Sequence, residues 1–252
     1  MASRDQIVGF CDELLEAGAF EDYGPNGLQV PGVPEVTKVA TGVSANRAFL
    51  EAAVDAGAEL AIAHHGLFWG SEQQSLSEQM AGRLRVLLTS GTSLAAYHLP
   101  LDAHREVGNN ALLCERLGFE RGESFCDFKG RPIGVIGRVK DGVDSAQLRR
   151  RVAEVTGREP LMFASGPDLV RSIGIVSGGA SDRISNAIEL GLDAFLTGEP
   201  SEPAMADADE GGIHYFAAGH YATETFGVRR LGELVAERFG VEHRFIDVPN
   251  PI

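Results

Sequence analysis

Two short segments of the sequence each place a histidine four residues before a carboxylate. The string AAYHLPLD contains His98 and Asp102, and the similar string AAGHYATE contains His220 and Glu224 at matching positions. Imidazole nitrogens and carboxylate oxygens together form the mixed donor sets that proteins offer to transition-metal ions. The matching spacing therefore predicts metal chemistry, with ligands that come from corresponding parts of the chain.

A second pair of matching segments lies upstream of the first pair. Residues 39–66 resemble residues 175–199, and the alignment places His65 opposite Glu199. The chain therefore looks like a duplication. We divide it into a first repeat, residues 1–126, with the HHG and HLPLDAH motifs, and a second repeat, residues 127–252, with the TGE and GHYATE motifs.

Helix and strand signals alternate along both repeats. Apolar runs that are typical of short buried strands end just before His64, His98, Gly198 and His220. The β-α-β rhythm predicts an α/β fold of two intertwined repeats, each a mixed β-sheet covered by helices. Ligands in such sheets gather beyond the carboxyl ends of the strands, which is where these residues are expected.

Local signals predict how individual elements begin and end. Ser3 with Gln6 predicts a capping box for the first helix, and Ser44 predicts the N-cap of a second helix. Pro100 predicts that His98 and Asp102 do not share a helix, so Asp102 is expected in a loop. Residues 70–77 are expected to form a polar loop and residues 198–212 a solvated acidic turn.

Length and composition favour a cytoplasmic globular protein. The 252 residues suffice for one large domain or two lobes, and no apolar run reaches the ~18 residues of a membrane span. The charged N-terminal segment is unlike a signal peptide. Three widely spaced cysteines with no Cys-x-x-Cys pattern indicate buried thiols and neither a disulfide framework nor a thiolate zinc site.

The formal charge of −14 disfavours nucleic acid and anionic membranes as partners. The basic residues are nearly all arginine, since Lys38, Lys129 and Lys140 are the only lysines. Such an acidic, lysine-poor composition is typical of proteins from a salt-loaded cytoplasm, where ions screen the repulsion between carboxylates. A GC-rich genome, which replaces lysine with arginine, is the alternative explanation.

The two adjacent histidines, His64 and His65, strengthen the metal interpretation. Neighbouring residues that leave a strand face opposite ways, so both rings cannot point into an apolar core. His98 is expected either as a direct ligand or as a group that orients one. Two histidines and a carboxylate from the first half, with a histidine and a carboxylate from the second, make a mixed set of nitrogen and oxygen donors. Such a set suits Zn, Mn, Fe, Co or Ni. Five ligands are too many for one open catalytic ion and about right for two ions.

Four motifs in this order, AHHGLFWG, HLPLDAH with GNN, TGE and GHYATE, resemble a known family. It is the NGG-interacting-factor-three-like family of dinuclear-metal-centre hexameric proteins, often labelled GTP cyclohydrolase I type 2 homologues. The resemblance implies a two-repeat α/β fold, a dinuclear metal centre and a homohexameric ring. It extends from about residue 5 to residue 250, and the short segment 119–170 identifies a member without the inserted domain of longer relatives.

The resemblance also implies roles for individual residues. The residues that match the family's metal ligands are His64, His65, Asp102, His220 and Glu224. Among these, Glu224 is expected to bridge the two ions. His98 and Glu199 match positions that line the site, and they are expected to act in catalysis as proton carriers. The string DYGPNGLQV departs from the family pattern and keeps only its Asn-Gly core.

Two functions are compatible with these residues. The first is a hydrolase in which a metal-bridged hydroxide attacks a small nucleotide- or pterin-like substrate. The second is a non-enzymatic scaffold or metal-insertion factor whose ring presents metal sites. An open coordination position beside a polar pocket would favour the enzyme, and a closed, fully protein-ligated pair of ions would favour the scaffold.

We expect the folded protein and its large oligomer to become more stable as salt rises. Compaction brings 36 acidic groups together against 22 basic ones, and screening weakens their repulsion. Exposed ion pairs are each worth only about 0–1 kcal/mol, so their loss in salt should matter less. The melting temperature and the oligomer fraction should therefore rise between dilute buffer and about 1 M KCl, where the Debye length is about 3 Å.

The control for this experiment is a neutral osmolyte at matched osmolarity and fixed metal content, because it does not screen charge. A flat or falling melting temperature in KCl would contradict the adaptation to salt and leave the arginine bias to genome composition.

Overall fold

The computed structural model describes residues 1–70 and 75–252. The strands, in chain order, are β1 (Ala2–Ser3), β2 (Gly27–Val30), β3 (Glu35–Val36), β4 (Lys38–Ser44), β5 (Leu60–His65), β6 (Ser93–Ala96), β7 (Glu120–Phe128), β8 (Arg131–Asp144), β9 (Leu161–Ala164), β10 (Leu169–Ile175), β11 (Ala194–Thr197), β12 (His214–Ala217) and β13 (Glu242–Phe245). The α-helices are α1 (Arg4–Leu14), α2 (Arg47–Asp55), α3 (Glu78–Ser90), α4 (Leu99–Ala103), α5 (Asn109–Arg116), α6 (Ser145–Thr156), α7 (Ile184–Glu189), α8 (Ala204–Gly211), α9 (His220–Thr223) and α10 (Thr225–Phe239). Part of the expected polar loop, residues 71–74, lies outside the described residues.

The chain forms two compact units. Unit 1 comprises Met1–Leu101 and Gly227–Pro249, and unit 2 comprises Asp102–Phe226 and Asn250–Ile252. Each contains a mixed β-sheet with helices, which confirms the predicted α/β class. The repeat boundary near residue 126 stays a prediction, because compact units and duplicated segments need not coincide.

Unit 1 is built on a five-stranded sheet in the order β13-β4-β5-β6-β2. The first four strands are parallel to their neighbours, and β2 is antiparallel to β6. Residues Leu60 to Ala63 of β5 are at most 1% exposed, as expected for a parallel strand covered on both faces. This buried strand carries His64 and His65 to its carboxyl end.

Unit 2 is built on a six-stranded sheet in the order β7-β8-β10-β11-β12-β9. Strands β10, β11 and β12 are parallel, and the flanking strands β8 and β9 are antiparallel to them. Unit 1 shares part of this arrangement, with parallel β4, β5 and β6 followed by antiparallel β2, but its other flanking strand, β13, is parallel to β4. A duplication of the two segments requires this shared strand order.

The structure corrects two predicted helix caps. Helix α2 begins after Asn46, whose side chain accepts a hydrogen bond from Phe49 N at 2.9 Å, and not after Ser44. The hydroxyl of Ser44 instead contacts Nδ1 of His65 at 3.0 Å. Ser3 does precede α1, but its side chain makes no capping hydrogen bond.

The prediction that Asp102 lies in a loop was wrong, because Asp102 belongs to helix α4. Pro100 is the second residue of this helix, and proline is tolerated in a first turn, where the missing N–H has no partner within the helix. The expected acidic turn at residues 198–212 was also wrong in part, since residues Ala204–Gly211 form α8. Buried Ala204 and Ala208 give this helix an apolar side.

The three cysteines, Cys11, Cys114 and Cys126, are free and buried, as the sequence predicted. Burial raises the pKa of each thiol to about 12, so none is a thiolate at neutral pH. Within the part of the chain that the structure describes, no helix combines the length and apolar character needed to cross a bilayer.

Candidate metal centre

Unit 1 brings His64 and His65, the last two residues of β5, together with His98, which follows β6. One ring nitrogen of each lies within 4.8 Å of the others, a spacing suited to a shared metal ion. The ring centroids of His64 and His65 are 4.7 Å apart, and those of His64 and His98 are 5.1 Å apart. His64 is fully buried, while His98 keeps 18% of its side chain exposed.

Backbone and hydroxyl groups orient the two adjacent histidines. Nδ1 of His64 donates to the carbonyl oxygen of Tyr97 at 2.9 Å, because a carbonyl can only accept. The neutral ring then carries its lone pair on Nε2, the nitrogen suited to a metal. Nδ1 of His65 is held by Ser44 Oγ at 3.0 Å. Such hydrogen bonds to the other ring nitrogen are usual around metal-binding histidines.

His98 is oriented by a carboxylate that sequence reasoning missed. Asp22 Oδ1 accepts a hydrogen bond from Nδ1 of His98 at 2.7 Å, and Asp22 Oδ2 accepts one from Leu99 N at 2.9 Å. Asn26 completes the contact, since its Oδ1 accepts from His98 N at 2.8 Å. The side chain of Asp22 is 1% exposed. Burial by itself raises its pKa, but the hydrogen bonds and charge of His98, with those of Asn26 and Tyr23 N, lower it overall.

No short sequence pattern predicts the hydrogen bond between Asp22 and His98, because the two residues are 76 positions apart. The string DYGPNGLQV contains both Asp22 and Asn26. The Asn26-Gly27 pair at the start of β2 is its one recognisable feature.

Unit 2 contains the candidate carboxylate ligands. Asp102 Oδ1 accepts hydrogen bonds from Asn109 Nδ2 at 2.8 Å and from Ser177 Oγ at 3.0 Å. A carboxylate oxygen of Asp102 lies within 4.8 Å of one of Glu224, and the two residues are 7% and 2% exposed. Two buried carboxylates at this distance repel each other when both are ionised, and a divalent cation would relieve the repulsion. The donor chemistry of unit 2 therefore fits a metal ion.

His220 lies between two carboxylates of unit 2. Its Nε2 is 3.2 Å from Glu224 Oε1, and its Nδ1 contacts Glu199 Oε1. Burial lowers the pKa of His220, but hydrogen bonds and charge from Glu224 and then Glu199 raise it to about 9. The same negative surroundings that favour a proton on this ring favour a metal cation in its place.

Glycine is required where the chain passes the carboxylate of Glu224. Gly178 has a φ of +68°, and a Cβ at this position would lie 2.3 Å from Glu224 Oε1. The carbonyl oxygen of Gly178 accepts hydrogen bonds from Gly198 N and Glu199 N. This turn after β10 therefore fixes the space around the carboxylate and the start of the TGE segment.

A cavity of about 310 Å³ opens beside Asp102 in unit 2. Its polar lining includes His104, Arg105, Arg121 and Ser124. Arg121 is held in place by Glu115 Oε1 at 2.9 Å and by the carbonyl of Arg105. Sequence reasoning did not select these cavity residues, although His104 lies within the HLPLDAH motif.

All the predicted site residues therefore lie in one of two groups. Unit 1 holds His64, His65 and His98 close together. The group in unit 2 comprises Asp102, Glu199, His220 and Glu224. Their roles as ligands and proton carriers stay predictions. His214 and His243 lie outside both groups and make hydrogen bonds elsewhere: His214 Nε2 with the carbonyl oxygen of Pro167, and His243 Nε2 with the hydroxyl of Thr41.

If His98 is a direct metal ligand, Asp22→Asn should weaken zinc binding by about 10–100-fold, because it removes the charged acceptor that orients the ring. If His98 only carries protons, the zinc affinity should stay unchanged. Isothermal titration of the metal-depleted protein with Zn²⁺ measures the change. Glu21→Gln is the matched control, since it makes the same change at the neighbouring exposed residue. Equal affinities of the two variants would exclude His98 as a ligand and leave it the proton-carrying role.

Comparison with known proteins places these geometric features in a family. The profile described as Duf34/NIF3 (NGG1p interacting factor 3) matches residues 2–251. A Pseudomonas aeruginosa protein named GTP cyclohydrolase 1 type 2 homolog is 44% identical over 245 residues, 97% of each chain. The solved structure of protein ybgI, described as of unknown function, has a TM-score of 0.94 and 38% identity, with 100% of both chains covered. The structure of TTHA1606 from Thermus thermophilus has a TM-score of 0.88 and 35% identity, again with 100% of both chains covered. The chain therefore belongs to the DUF34/NIF3 family.

Proposed function

We propose that the protein is a dinuclear-metal-dependent hydrolase that acts on a small nucleotide- or pterin-like substrate and works as a homohexamer in the cytoplasm. The observation that carries this proposal is the polar cavity beside Asp102. A protein that only stores or presents ions needs no space for another molecule next to a ligand, whereas a catalytic site keeps a position open for substrate.

The proposed ligands are His64, His65, Asp102, His220 and Glu224, which would hold two divalent ions per subunit. The support comes from the donor chemistry of each unit and from family membership. The nitrogen-rich set favours Zn, Mn, Fe, Co or Ni. Such ions, when bound, supply Lewis acidity and lower the pKa of a water molecule towards neutrality.

His98 and Glu199 are proposed as the groups that move protons. Asp22 holds Nδ1 of His98, so Nε2 is the nitrogen that can accept or release a proton. Glu199 is 39% exposed at its side chain, against 3% for Glu224. Glu199 can therefore exchange protons with solvent while it orients the ring of His220, and Glu224 is better suited to hold a cation.

The cavity side chains are proposed to bind an anionic group of the substrate. Nδ1 of His104 accepts backbone hydrogen bonds from Glu106 N and Val107 N, so the neutral ring carries its proton on Nε2 and donates from there. Arg105 and Arg121 add guanidinium groups, which match phosphate and carboxylate oxygens. In a protein of charge −14, local cations of this kind are needed to attract an anionic substrate.

The substrate class is supported by this anion-binding chemistry and by the names of relatives. The Pseudomonas aeruginosa relative is named as a homolog of a GTP cyclohydrolase, an enzyme class whose substrate is a purine nucleotide. A nucleotide would place its phosphates among the cavity cations and its reacting atoms near the candidate ligands.

We expect Glu224→Ala to lose both ions, because a carboxylate shared by two ions serves each of them. Elemental analysis of protein purified without chelators should give two ions per subunit before the substitution and none after it. Glu202→Ala, which removes an exposed carboxylate of the same unit, should retain both. One ion per subunit in the unmodified protein, or full occupancy in the variant, would contradict the dinuclear assignment.

We expect ion-dependent hydrolysis in a screen of nucleotides and pterins, and a specific effect of Arg105→Ala on phosphate-bearing substrates. A lost charged hydrogen bond of about 1.5–3 kcal/mol should raise KM by at least about 10-fold while the ion content stays unchanged. Arg149→Ala, an exposed arginine of α6, is the control. Full ion occupancy with no turnover of any compound would favour the non-enzymatic scaffold.

A further inference from the structure

Three aromatic side chains of unit 1 are unusually exposed and lie close together in the chain fold. Tyr23, Phe68 and Trp69 are 54%, 37% and 44% exposed. Other large rings, such as Phe49 and Tyr97, are at most 1% exposed. Exposed aromatic surface next to polar groups is typical of ligand sites, because a ligand that covers the ring removes its apolar surface from water and so lowers the free energy.

Two of these rings flank the histidine group of unit 1. The ring of Trp69 is 5.1 Å from that of His98 at an interplanar angle of 83°, and 5.8 Å from that of His65. The ring of Tyr23 is 6.0 Å from that of His98. The exposed rings therefore border the candidate ligands directly and are not scattered over the surface.

The loops that carry these rings are fastened to each other. Gly70 N donates to the carbonyl of Tyr23 at 2.8 Å, and the indole Nε1 of Trp69 donates to the carbonyl of Gly66 at 3.0 Å. Gly24 packs so tightly that a Cβ there would lie 2.2 Å from the carbonyl oxygen of Phe68. Rings held this way lose little conformational entropy when a ligand binds.

We propose that Trp69, with Tyr23 beside it, is the stacking surface for the planar bicyclic ring of a purine or pterin. Stacking on tryptophan requires only a flat π-face on the ligand, so this surface would select ligands by their ring and not by their charge. The identification of the bound ring as that of a substrate rests on the proposed function, but the binding itself does not.

The chain offers a direct test, because Trp69 is its single tryptophan. Fluorescence of the metal-loaded protein, excited at a wavelength that tyrosine does not absorb, therefore reports on this residue alone. Titration with guanosine monophosphate or with pterin should quench the emission to saturation, and ribose 5-phosphate should leave it unchanged. No quenching by either ring compound would overturn the proposal, and equal quenching by ribose 5-phosphate would indicate sugar stacking and overturn it as well.

Variants separate stacking from structural effects. By calorimetry, Trp69→Ala should weaken binding of guanosine monophosphate by about 10-fold, while Trp69→Phe should retain most of the affinity because it keeps a ring. Phe68→Ala is the control for a nearby exposed ring outside the proposed surface, and it should bind as the unmodified protein does. Unchanged affinity in Trp69→Ala would overturn the proposal.

Three further outcomes are informative, and the first two keep the inference distinct from the proposed function. Ion-dependent turnover that persists with normal affinity in Trp69→Ala would overturn the stacking surface and leave the hydrolase intact. Ring-specific quenching without turnover would support the stacking surface and contradict the hydrolase. The third outcome combines two results: tryptophan emission that depends on protein concentration in the absence of ligand, and loss of the oligomer in Trp69→Ala. Together they would place the indole in an interface between subunits and overturn the proposal.

Discussion

Parallel pairing of consecutive strands is the constraint on which the candidate site depends. In a parallel pair, the carboxyl ends of the strands lie at the same edge of the sheet, so residues far apart in sequence leave the sheet together. In unit 1 this pairing brings the end of β5 and the residues after β6 to one edge, where His64 and His98 lie. In unit 2 it does the same for the segments after β10, β11 and β12, which supply Ser177, Glu199 and His220.

Electrostatics explains why these edges suit a cation. Asp102 and Glu224 are nearly buried carboxylates within 4.8 Å of each other, and Glu199 adds a third acidic group at His220. Each carboxylate is oriented by neutral donors or by an imidazole, as with Asn109 and Ser177 on Asp102. The arrangement concentrates negative charge at fixed positions, which stabilises a bound divalent ion more than it stabilises the metal-free protein.

Sequence patterns identified the residues of the two groups because histidines and carboxylates recur at matching positions after apolar strands. They did not identify Asp22, since its contact with His98 depends on how a distant loop folds back on the sheet. Asp102 was misplaced because a single proline signal does not distinguish a helix interior from a first turn. Helix α8 and strands β7 and β9 were missed because charged or short segments carry weak periodicity. Tertiary contacts decide all of these features.

The final strand, β13, pairs with β4 near the other end of the chain, and this connectivity has a consequence for biosynthesis. Residues Asp102–Phe226 of unit 2 form an uninterrupted stretch that the ribosome completes before Gly227–Pro249 of unit 1 are made. During translation, β4 is therefore an open sheet edge until residue 245 leaves the ribosome, and open edges invite pairing with other chains. The nascent protein therefore exposes that edge for as long as the ribosome is making the segments between β4 and β13.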